Sequence, residues 1–189
     1  MPLGATRFGL QGLASGSLEL ISKTVITSNT ENIPLTNIKE DTYKTHILFW
    51  NLKKGVDTTQ LSARFTVGGS LVSSGYIYSG WYGIGGGSEN TAGRSTALND
   101  IMLDGYWSGT AANERMAGSA IFYDLGDTNK HSNIIRQSIQ TGYLSANVVA
   151  GWGATTYPQA NVVDGINIRG TTAAGVFRLY GVKDGLWVI

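Results

Sequence analysis

At 189 residues the chain is long for one all-β domain and short for two, and a domain of this size buries roughly two thirds or more of its unfolded surface, so it folds without covalent staples. The absence of Cys excludes disulfides and thiolate metal sites and fits synthesis in a reducing cytosol, and only two His, His46 and His131, exclude a three-His metal site within one chain. Fourteen basic against thirteen acidic residues leave a net charge of +1, which excludes bulk attraction to nucleic acid or an anionic membrane. Charged residues make up 14% of the chain, where an average globular protein has about 25%. With 26 Gly and 10% aromatics, the surface relies on neutral Ser, Thr and Asn, a composition that suits assembly or sugar contact.

The first element is an arm, residues 1–17, in which Leu3, Phe8, Leu10 and Leu13 are separated by Gly. It is too apolar for a solvated tail and too Gly-rich for a helix. It also lacks the basic start and apolar run of a secretory signal, and no later run approaches the roughly 18 apolar residues of a membrane helix. Strand-like stretches then follow at 18–27, 32–38, 44–52, 59–67, 71–81, 116–125, 132–140, 143–151, 164–170 and 175–182, bounded by turn residues. In the stretch 59–67, Leu61, Ala63, Phe65 and Val67 fall on one face and Gln60, Ser62, Arg64 and Thr66 on the other, as a half-solvated antiparallel strand requires. The continuously apolar run 46–52 predicts a central strand covered on both faces. Residues 83–95 read as a long flexible loop, and 96–107 as one short helix or another strand. Ten short strands without a linker or repeat predict a single all-β domain, an antiparallel β-sandwich of jelly-roll-like topology over 18–185, with the strand at 175–182 near the middle of a sheet.

The motifs argue against catalysis. Neither G-x-S-x-G, a Walker loop nor H-E-x-x-H occurs, and no cofactor-binding pattern is present. His46, within an apolar strand, reads as a buried core residue rather than a general base, and His131 as a turn or strand-edge residue. Asp100, Asp104, Glu114, Asp124 and Asp127 lie in or beside predicted loops, where only geometry would make a hydrolytic carboxylate pair. The run 124–129 lacks calcium-loop spacing and reads as a turn. The aromatic stretch 76–82 carries Tyr76 and Tyr78 on a common strand face, with Trp81 and Tyr82 at the mouth of the Gly-rich loop. Together with Trp107 these rings are candidates for core packing, for a neighbouring chain or for glycan stacking.

Three stretches in this order, "LELISKTVIT", "LSARFTVGGSLVSSGYIY" and "GVFRLYGVKDG", resemble small β-sandwich virion proteins of tailed bacteriophages. The resemblance covers about residues 18–184. It implies a jelly-roll-like module on the virion exterior, often homotrimeric, made in the host cytoplasm. Two roles follow from it: a capsid cement or decoration protein bound to the major capsid protein or another virion protein, or a tail-fibre, receptor-binding protein that recognises a host surface glycan. The final Leu186, Trp187, Val188 and Ile189 follow an Asp-Gly turn and, if exposed, would form an apolar patch near the largest that a monomer tolerates. They are expected to pack on a neighbouring chain, the alternative being an extra edge strand on their own domain.

Overall fold

A computed structural model of the chain describes residues 18–57, 59–85, 90–104, 109–141 and 148–183. Among these residues all regular structure is β, in antiparallel pairing, with no helix. The strands are β1 (Leu18–Ile26), β2 (Thr30–Thr36), β3 (Thr45–Lys54), β4 (Ser62–Val67), β5 (Ser70–Leu71), β6 (Tyr76–Ile84), β7 (Asn90–Leu98), β8 (Ile101–Met102), β9 (Met116–Tyr123), β10 (Ser132–Thr141), β11 (Val148–Tyr157) and β12 (Gly165–Val182).

The spine is β12, which belongs to both layers of one curled sheet. Its first half, Gly165 to Arg169, runs between β2 and β4, and its second half, Ala174 to Val182, between β1 and β3. The ladder shifts register between Arg169 and Ala174, where Gly170 has φ +109°. L side chains rarely adopt that backbone conformation, and a Cβ there would crowd the Gln60 carbonyl oxygen, so Gly lets the strand bend at this point without strain. A short layer of β2, β12, β4 and β5 results. The long layer continues the other half of β12 in the order β1, β12, β3, β9, β10, β11, β6, β7.

The two layers enclose the core. Phe65 of β4 reaches across to Phe122 of β9, Tyr157 of β11 and Tyr76 of β6, at ring-centroid distances of 6.2, 5.8 and 5.9 Å. The Tyr76 hydroxyl accepts a hydrogen bond from the Phe65 amide at 2.9 Å, which satisfies the one polar atom this ring carries inside. Leu48, Leu52, Leu61, Ile101, Ile168, Phe177 and Leu179 fill the space around them. Each large side chain buried in this way contributes on the order of 1.5–3 kcal/mol.

The alternation of 59–67 holds for most of its length: Leu61, Ala63 and Phe65 are fully buried, while Ser62, expected on the solvated face, is also buried and Val67 is only half-buried; the strand at 175–182 lies inside the sheet between β1 and β3. Several boundaries differ. The stretches 164–170 and 175–182 are one bent strand, not two. Residues 83–84 extend β6 and 90–95 begin β7, so much of the expected flexible loop is hairpin. Of the segment 96–107, residues 96–98 end β7 and 101–102 form β8, with no helix among its described residues, and 105–107 lie outside them. The apolar run of β3 is covered on one face only. His46, Leu48, Trp50 and Leu52 point inward and are buried, whereas Phe49 on the other face is 42% exposed.

Candidate functional site

The outward face of the long layer is the least expected feature of the molecule. In β10 the inward set is Ser132, Ile134, Arg136, Ser138 and Gln140, all buried, and the outward set is Asn133, Ile135, Gln137 and Ile139, all exposed. The strand thus turns most of its polar side chains in and its two other isoleucines out, with Ile135 52% and Ile139 54% exposed. A strand with a solvated outer face shows the reverse pattern.

Neighbouring strands continue this face in register. One row across the sheet reads Trp81 on β6, Trp152 on β11, Gln137 on β10, Ser119 on β9, Phe49 on β3, Arg178 on β12 and Lys23 on β1. The rows beside it carry Ser79, Ala154, Ile135, Ile121, Ile47, Tyr180 and Leu20, and Gly83, Ala150, Ile139, Ala117, Asn51, Val176 and Val25. From β3 to β6 these three rows hold no charged side chain. Trp152 is 60% exposed, and its ring lies 6.4 Å from that of Trp81 at an interplanar angle of 35°. Gln137 Nε2 donates to Ser119 Oγ at 3.3 Å, which partners the polar pair in the middle of the row. The small side chains of β9 leave a trough of about 380 Å³ lined by Phe49, Ala117, Gly118, Ser119, Gln137, Ser138 and Ile139.

The outer face of the short layer is of the opposite character. Arg64 on β4 and Arg169 on β12 both bond Asp100 Oδ1, at 2.5 and 2.9 Å, beside Asn32, Thr66 and Asn167. The molecule therefore has one wet face and one apolar face.

Charge is also enclosed between the layers. Lys54, Asp104 and Arg136 are all but inaccessible. Asp104 Oδ2 accepts from the Leu61 amide at 2.6 Å, and Arg136 Nη2 donates to the Tyr78 hydroxyl at 2.8 Å with its guanidinium 5.6 Å from the Tyr78 ring centroid. Among the described residues Lys54 Nζ, Asp104 Oδ1 and Arg136 Nε and Nη1 have no hydrogen-bond partner. Burial pushes the Asp104 carboxyl up to about 7 against the attraction of Lys54 and Arg136, and burial lowers Lys54. Tyr78 lies over Gly80, where any Cβ would stand 2.2 Å from its hydroxyl oxygen, so glycine there makes room for the ring.

The aromatic stretch 76–82 is divided between the two faces. Tyr76 is fully buried in the core and Tyr78 and Tyr82 are turned inward, so of these four rings Trp81 alone is presented on the outer face. Its partner there, Trp152, is missed by the strand reading 143–151, which stops one residue short of it. Leu3, Phe8, Leu10, Leu13, Trp107, Leu186, Trp187, Val188 and Ile189 lie outside the described residues. His46 is buried; its Nε2 donates to the Ile38 carbonyl at 2.8 Å, and burial lowers its pKa. His131 is exposed just before β10. The five candidate carboxylates have structural partners: Asp100 and Asp104 as above, Glu114 accepting from the Ala111 amide at 2.6 Å, and Asp124 and Asp127 both bridged by Lys130. Among the described residues no cluster of three or more His, Asp or Glu is placed to hold a metal ion. No protein-family model, curated protein or solved structure matches the chain.

Proposed function

We propose that the chain is a non-enzymatic structural protein of a tailed-bacteriophage virion, a capsid cement or decoration protein that works by covering and being covered. The observation that supports this reading is the apolar outward face of the long layer, uncharged in its three central rows from β3 to β6, set against a charged face on the other side of the same molecule. Burial of such a face is worth far more than any hydrogen bond it makes with water, and it suits a protein whose working state is an assembly on the virion exterior. The low charge of the chain and its resemblance to small virion β proteins agree with this role.

A second reading rests on the Trp81 and Trp152 pair. Two broad rings beside Gln137 and Ser119 form a platform on which a pyranose ring stacks while the amide and hydroxyl bond its edge, as in a fibre protein that recognises a host surface glycan. Quantitative mass spectrometry of purified virions separates the two. Copies in the hundreds support the cement role, tens or fewer support the fibre role, and absence from the virion overturns both.

A further inference from the structure

We propose that the partner on the outward face of the long layer is a second copy of this chain, packed face to face about a two-fold axis that runs along the strands between β9 and β10. The inference rests on the assembly reading above and names the occupant of that face.

Three observations carry it. The first is area. Seven strands, β1 to β6 through the long layer, at about 4.8 Å spacing and with about eight residues each at about 3.3 Å, present a footprint of on the order of 900 Å². A stable interface needs about 800 Å² per partner. The second is the pattern of β10, which exposes Ile135 and Ile139 while it buries Arg136 on the inner side, an arrangement that fits an outer side kept dry in the working state. The third is that the central row is complementary to its own reverse. A two-fold axis between β9 and β10 sets Gln137 of one copy opposite Ser119 of the other, and Trp152 opposite Phe49 and the trough beside it. It also sets Trp81 opposite Arg178, a cation over an aromatic face. No carboxylate opposes another and no cation opposes its own kind along this row. The same face therefore serves both partners, as two-fold symmetry requires.

The test is the mass of the purified full-length protein by sedimentation velocity, followed by directed cross-linking. A species of twice 20.1 kDa is expected at about ten micromolar, the range reached by interfaces of this size. Trp152→Ala should weaken association about 30-fold, as for a central aromatic anchor. Ile139→Asp should give a monomer with an unchanged far-UV spectrum, since this side chain is exposed in the single chain. Because the chain has no Cys, Trp152→Cys and Phe49→Cys proteins can be mixed and oxidised. A disulfide-linked dimer that forms from the mixture, and not from either alone, supports the axis. A monomeric wild type, a trimer, or a dimer untouched by all these changes overturns the proposal. A monomer that still coats virions in hundreds of copies defeats this inference alone, whereas a dimer absent from virions defeats only the virion role.

Discussion

Asp104 is the residue on which pH acts most directly. Its carboxyl sits at about 7 in the fold and at an ordinary value of 3.8 in the open chain, because burial penalises the ionised form more than Lys54 of β3 and Arg136 of β10 favour it. A value raised on folding means that the stabilisation is complete below about pH 4 and is lost as pH rises through 7, by on the order of 4 kcal/mol. Other groups act in their own windows. Hydrogen bonds from Tyr43, Lys183 and Lys39 hold Glu19 down at about 2, so its contribution is lost only as pH falls below about 4.5. His46, lowered by burial, loses its contribution as pH falls below 6.5. Comparison of wild type with Asp104→Asn cancels both. The denaturant midpoints of the two proteins should lie closest near pH 3.5, and the variant should gain on the wild type steadily from there to pH 8; parallel pH profiles would show that Asp104 does not titrate in this window.

At the scale of the element, β12 is the strand that the rest of the fold depends on. It carries four neighbours, two on each half, and bends between them at Gly170. Gly170→Ala combines a φ of +109° with a methyl group 2.3 Å from the Gln60 oxygen, and should cost about 2–4 kcal/mol in urea unfolding. Gly68 is the control: it also has positive φ, +56°, in the β4–β5 turn, but a Cβ there meets nothing within 4 Å. Its Ala variant should lose only about 1 kcal/mol. Equal losses at both positions would mean that the bend carries no packing constraint of its own.

For the whole molecule, the question is which side of the long layer is the core. Ile134 and Ile135 are adjacent in sequence, yet one is 1% and the other 52% exposed. Under conditions where the protein is monomeric, Ile134→Ala should cost about 2–5 kcal/mol, while Ile135→Thr should change stability by no more than about 0.5 kcal/mol. Association should respond in the opposite order, with Ile135→Thr weakening it and Ile134→Ala acting only through the fold. If Ile135→Thr proves the more damaging in the monomer, the two faces of β10 have been assigned the wrong way round.

The strand class, the approximate positions of most strands and the sparsely charged surface were decided by local chemistry, because period-two alternation, Gly-rich turns and composition act over a few residues. The inward set of 61–65 was legible for the same reason: Leu61, Ala63 and Phe65 alternate with polar residues, and only one assignment buries all three apolar ones, although packing buries Ser62 as well. In β10 and β6 both alternate sets mix apolar with polar groups, so the sequence does not say which set faces in. That choice came from pairing with β9 and β11 and from the buried partners Asp104, Arg136 and Tyr78, which are far apart along the chain. The joining of 164–170 and 175–182 into one bent strand likewise needed β1, β2, β3 and β4 in place. Only the tertiary structure brought Trp81, Trp152 and Phe49 into one row, because register between strands distant in sequence is set by long-range packing and not by any local preference.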